Sequence, residues 1–445
     1  MIEKNDIARR RLFYKYVIPS VGSMLVTSLY VVVDGVFVGR GIGAEALAAI
    51  NIAGPYIMAI IAVSMMITVG GATLTAISFG QNCEREANSY FIGSMKMIIA
   101  FSLLMTVISI CFPHSIARLF GASDILLEDT ATYLRFFVTF GIFFCSSMAL
   151  AAFVRNDGAP QLAFWGMVVG GVSNIFLDWL FIFPLQMGIT GAAIASGLGQ
   201  TLACLLLMTH FWRRQGQLRL HNIAFHLTTA LEIVKRGTPE FMNQLFQPVT
   251  VLCYNLLALS IYGEIGVAAF SVVYYILTIT VAVFIGLSQG IQPLISRSFG
   301  EGNEKSERYY YLKGMGLNLS LALVVYILML VAGRPIIAIF NTDLQLISIG
   351  YDCIRIYGLS FLFTAINIVG ITYFTATKRT TQALTISILR SLVLIPVFVF
   401  LLPTLLGPGA VWSGIVVAEM LAIVIVAGLT YWQITKQERS PATLP

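Results

Sequence analysis

Asn174 and Asp178 place an amide and a carboxylate four residues apart, a spacing that stacks both groups on one face of a helix. Their flanks, 159–177 and 179–212, contain no Asp, Glu, Lys or Arg. In a bilayer such a carboxylate costs at least ~2.5 kcal/mol, so it is expected to face a cavity and to have a task. Asp34 is a second lone carboxylate in the same kind of setting. If the two acids meet, they titrate as a coupled pair suited to taking up and releasing a cation. Carboxylates with an amide suit a proton and also Na+.

Other chemistries find no support. His114, His210, His221 and His226 are scattered without metal-ligand spacing, and neither a nucleophile elbow nor a phosphate-cradling Walker loop occurs. The six cysteines show no paired spacing and mostly fall in apolar segments, which argues against a disulfide framework and a metal site. The chain is therefore read as neither an enzyme nor an ATP-driven pump, with no metal and no cofactor.

The elements that must position these acids are membrane spans. With 58% hydrophobic and 11% charged residues among 445, the chain reads as a polytopic membrane protein. Charge-free gaps match the roughly 20 residues that a helix needs to cross the hydrocarbon, or nearly twice that. Twelve helices are expected near 13–38, 48–78, 92–112, 131–153, 161–183, 190–212, 236–260, 268–297, 312–332, 351–374, 383–402 and 410–433. Continuous rather than alternating apolar stretches exclude a β-barrel. The long first apolar segment after Arg9-Arg10-Arg11 is expected to remain as a helix rather than act as a cleaved signal. With the N-terminus inside, 22 of the 27 Lys and Arg fall in cytoplasmic pieces and 5 outside. This bias puts both termini in the cytoplasm. It also explains the net charge of +6 without any nucleic-acid partner.

An internal repeat at an offset near 220 residues superimposes Pro19 on Pro239, Gly43 on Gly263, Phe79-Gly80 on Phe299-Gly300, Arg135 on Arg355 and Trp212 on Trp432. Six spans per repeat give both halves the same orientation. The division is an N-lobe at 1–212, a basic cytoplasmic linker at 213–235 and a C-lobe at 236–445. The acids are not repeated: Asp34 falls on Tyr254, and Asn174 and Asp178 fall on apolar runs. An unrepeated intramembrane charge is better explained by function than by packing. Glu419, aligned with Gln200, ranks below them, because it either pairs with Arg390 or lies nearer a rim. Pro19 with Gly22 marks the first helix as one that can bend, with Thr27, Tyr30 and Asp34 on one face beyond. Asn243, Gln244, Gln247, Gln289 and Gln292 are candidate substrate-cleft residues, set against a role as glue between helices.

The pattern resembles the multidrug and toxic compound extrusion (MATE) transporters over essentially the whole chain. Carrying the resemblance are Val33 to Gly39, Arg155-Asn156-Asp157-Gly158-Ala159-Pro160, Asn174 to Asp178 and Gly188 to Ser196. It implies two six-helix lobes across a central cleft and a place in the DinF-like branch beside the MepA-like pumps. It further implies a cation site at Asp34, Tyr133, Asn174, Asp178 and Ser196, the last standing where threonine is more usual. The seventh-helix glutamate of the NorM-like branch is replaced by Gln247, so no ion site of that kind is expected in the C-lobe. The implied activity is antiport at the cell inner membrane: export of amphipathic, often cationic, organic compounds and drugs by a monomer. The driving cation is H+ first and Na+ second. A lipid-linked sugar flippase or polysaccharide exporter of the same superfamily is the alternative. The resemblance also implies that the first helix bends near Pro19 when Asp34 is neutralised.

Overall fold

The computed structural model describes residues 2–220 and 225–439, so that His221 and the extreme ends of the chain lie outside the described residues. Among them there is no strand, and the chain is a succession of helices. The first half holds α1 (Ile2–Gly41), α2 (Ala44–Gly80), α3 (Glu84–Cys111), α4 (Pro113–Leu119), α5 (Leu127–Thr139), α6 (Gly141–Asn156), α7 (Pro160–Ile182) and α8 (Gly188–Trp212). The second holds α9 (Leu227–Tyr262), α10 (Glu264–Gly300), α11 (Glu304–Phe340), α12 (Leu344–Tyr357), α13 (Ser360–Ala376), α14 (Thr380–Ile388), α15 (Ile395–Leu406) and α16 (Gly414–Arg439). Ten segments are long and apolar enough to cross a bilayer, and two bent pairs bring the number to twelve. The expected all-α, twelve-span membrane architecture is thus present.

The departures are local. The fourth span is not one helix but α5 and α6, meeting at 50°, and the tenth is α12 and α13, meeting at 46°. Gly141 and Gly358 lie at these breaks, where a missing side chain weakens the helix. α14 and α15 are joined by a π-helical turn over Leu389–Leu394, just before Pro396. Proline has no N–H to give the preceding turn, which favours that wider winding. α9 starts at Leu227, so residues 227–235, the end of the segment read as a linker, are helical.

Two compact units result. The first comprises residues 1–244 and 285–310, the second 245–284 and 311–445. In the first, one apolar core runs through Phe91, Phe153, Phe211 and Ile233, and another gathers Val38, Ala49, Tyr133 and Ala193. The start of α9 and the end of α10 belong here because glycines let backbones touch. A Cβ on Gly237 would collide with the Met66 backbone, and one on Gly290 with the Val17 backbone. The second unit is built around a stack of aromatics, Tyr254, Phe270 and Trp412, with the Tyr254 hydroxyl accepting from Ile415 N at 3.0 Å.

Candidate functional site

The first unit brings α1, α5, α7 and α8 together around the unrepeated acids. Seen from α7, Gly166, Gly170, Asn174 and Asp178 recur every fourth residue, so small residues and polar residues share one ridge. The glycines allow close approach, as small residues do between membrane helices. A Cβ at Gly170 would touch Ala203 of α8, and one at Gly171 would press on Val26 and Tyr30 of α1. α7 accordingly packs most extensively against α8 and α1. α1 runs unbroken through Pro19, with Ser20 Oγ donating to Tyr16 O and Ser23 Oγ to Pro19 O, both at 2.8 Å. Gly22 faces Phe164 of α7, and Thr27 Oγ1 donates to Ser23 O at 2.9 Å.

This packing brings all five residues of the implied cation site into one neighbourhood. The carboxyl groups of Asp34 and Asp178 lie within hydrogen-bonding reach of one another, and the Tyr133 hydroxyl is an electrostatic neighbour of both. Asn174 Nδ2 donates to Ser196 Oγ at 3.2 Å. Asn174 and Asp178 are buried, while Asp34, Tyr30 and Ser196 are half-buried. Four buried oxygens have no donor: both of Asp178, Oδ1 of Asp34 and Oδ1 of Asn174. Buried acceptors are nearly always satisfied, so a cluster of four that are not is suited to receive a proton or a small cation. The acids lie on α1 and α7, on packed helices rather than loops, which fixes their mutual geometry.

A further polar link extends the site and was not anticipated. Ser147 Oγ donates to Gln200 Oε1 at 2.7 Å, and the Tyr30 hydroxyl lies within hydrogen-bonding reach of the same Gln200 side chain. Gln200 thereby joins α6 to α8 and α1. Its only sequence signal was its alignment with Glu419.

The candidate cleft residues have separate partners. Gln289 accepts from Arg155, whose Nη1 lies 3.0 Å from its backbone oxygen and 3.2 Å from Oε1. Gln292 Nε2 donates to Thr73 Oγ1 at 2.6 Å. Gln247 is exposed and neighbours Tyr274 in the second unit. Asn243 and Gln244 sit together around Glu240, with Gln244 Nε2 donating to Glu240 Oε1 at 3.0 Å.

Glu419 is paired. Arg390 reaches it with Nε at 2.8 and 2.9 Å from its two oxygens and with Nη2 at 2.6 Å from Oε1, and Asn367 Nδ2 donates to Oε2 at 2.7 Å.

The MatE family model matches this chain twice, over residues 19–180 and 239–400, the second match displaced by 220 residues from the first. A multidrug export protein MepA of Staphylococcus haemolyticus is 26% identical over 434 residues, covering 96% of this chain and 94% of that protein. Two solved structures share the fold, each with a TM-score of 0.92 and 22% identity over 97% of this chain. One is a MATE protein in complex with MaL6, 98% of whose chain is covered. The other is the outward-facing conformation of a multidrug resistance MATE family transporter of the MOP superfamily, 97% covered.

Proposed function

Since the chain belongs to the MatE family of multi-pass membrane transporters, we propose that it is a cation-coupled antiporter that exports amphipathic, often cationic, organic compounds. The observation that carries this reading is the set of four donor-less buried oxygens on Asp34, Asp178 and Asn174. Acceptors held together in low dielectric repel one another unless a cation or proton joins them. A site of that kind releases its cation to one side and reloads from the other, and the energy of the cation gradient drives the substrate. Moving one charge through 100 mV supplies roughly 2.3 kcal/mol, enough to bias a two-state carrier.

Tyr133, Ser196, Tyr30 and Gln200 complete the polar shell, and H+ is the first choice of cation, with Na+ second. The similarity to proteins named for multidrug export supports a small-molecule substrate. The protein acts as a monomer in the cytoplasmic membrane, with both termini inside and no enzymatic step. Its repeats, 1–212 and 236–445, are joined by 213–235. Purified protein in vesicles, given a set pH or Na+ gradient, should drive lipophilic dyes uphill, and collapse of the gradient should stop it. No uphill flux of any dye under either gradient would refute the reading.

A further inference from the structure

Glu240 follows Pro239 in α9 and is half-buried within a segment long and apolar enough to span the bilayer. The interactions of its carboxyl group are with two amides one turn on, Gln244 Nε2 at 3.0 Å and the Asn243 side chain. Gln244 spends a donor on this carboxylate, and the buried Oδ1 of the neighbouring Asn243 is left with no donor. Carboxylate and amide carbonyl together form a seat made of acceptors. The cations nearest in sequence, Lys235 and Arg236, begin a turn earlier, and Arg236 has interactions of its own. Among the described residues, no ion pair joins either to Glu240. At the matching place in the first repeat stands Ser20, whose hydroxyl is spent on Tyr16 O, so this acid too is unrepeated.

A charge inside a membrane span that is solvated by amides and given no cation partner marks a binding place for one. We propose that Glu240, supported by Asn243 and Gln244, is the anionic anchor for the positive charge of organic cations, distinct from the Asp34 and Asp178 centre that takes the driving cation. The Gln244 donor orients the carboxylate, and a cation arriving beside it offsets the cost of holding its charge in a buried place. A diffuse organic cation, weakly hydrated, gives up little to reach such a seat, whereas a strongly hydrated small ion gives up much. The inference rests on the export reading above for its biological sense, but it is tested by binding alone.

Purified protein is titrated with tetraphenylphosphonium and with neutral triphenylphosphine oxide at fixed pH. Glu240→Gln should weaken binding of the cation about tenfold and leave the neutral probe unchanged, while Glu240→Asp should recover part of the loss. Equal weakening for both probes would mean a packing role and would overturn the assignment, as would unchanged cation binding in Glu240→Gln. A wild type that binds the cation through Glu240 but drives no uphill flux would refute the antiport reading alone.

Discussion

Two buried acidic centres in this chain are built on opposite principles. Glu419 receives Arg390 and Asn367, so every oxygen of its carboxylate has a donor. Among the described residues, Asp178 is paired with no cation, and only the Asn174 amide and its partner Asp34 stand within reach. The comparison is close because Gln200, the neighbour of the Asp centre, occupies the place of Glu419 in the repeat. In the first repeat Ser147 donates to Gln200; in the second Asn367 donates to Glu419. The same cross-helix link therefore carries a neutral amide in one half and a neutralised carboxylate in the other. A buried carboxylate whose oxygens all have donors is already neutralised, whereas carboxylate oxygens without donors are open to a proton or a small cation.

The difference can be broken most sharply at the acids themselves. Asp34→Asn and Asp178→Asn are each expected to abolish gradient-driven export while leaving the melting temperature at or above that of the parent, since each removes an acceptor that no donor stabilises. Uphill dye transport in vesicles, measured beside thermal unfolding in detergent, reads both. Wild-type export by both variants would dissolve the distinction between the two centres.

Glu419 should behave the opposite way. Glu419→Leu leaves Arg390 without its carboxylate in a nearly buried site, where losing one partner of a pair costs roughly 3–5 kcal/mol. The double variant Arg390→Leu with Glu419→Leu should recover most of that loss. Unfolding followed for the two single variants and the double one closes a double-mutant cycle. A double variant as unstable as the single ones would show that the pair is more than a neutralised structural link.

The contrast between the centres was partly legible in the sequence, for physical reasons. Lone acids in charge-free stretches stand out, and Arg390 as a candidate partner sets Glu419 apart, although Glu419, on Gln200, is as unrepeated as Asp34 and Asp178. The spans were legible because charge is excluded from hydrocarbon over a fixed length. The breaks at Phe140 and around Gly358 were not, because apolar composition runs straight through them and only one glycine at each hints at the bend. The π-helical turn before Pro396 was hidden for the same reason. Gln200 and Ser147 escaped because neutral polar residues are common in membrane helices. Glu240 escaped because Lys235 and Arg236 make it read as part of a charged boundary.

A smaller effect is expected where α1 carries Pro19. The ring leaves the backbone one donor short, and the neighbouring hydroxyls of Ser20 and Ser23 are spent on carbonyls of the same turn. Pro19→Ala should restore the missing bond, favour the straight helix and slow export several-fold, with cation binding at Asp34 kept. A probe-labelled pair spanning α1 should change separation between low and high pH in the parent but not in Asp34→Asn. A constant separation in the transporting parent would leave rigid rocking of the two repeats as the better account.

The finest distinction concerns Ser196, the residue of the Asp centre that accepts a hydrogen bond, from Asn174 Nδ2 at 3.2 Å. That bond holds the amide in place beside Asp178. Ser196→Ala removes the acceptor, frees the amide to turn, and should cost about 1 kcal/mol of cation binding, which is roughly fivefold in affinity. Ser196→Thr keeps the oxygen and adds a methyl group at a half-buried position, so its affinity should stay within about twofold of the parent. Half-saturation of export by the driving cation, measured in vesicles at one dye concentration, separates the two. If alanine proves as good as threonine, the amide is held by packing against Gly199 rather than by the hydroxyl, and Ser196 leaves the cation site while Asp34, Asp178 and Asn174 remain in it.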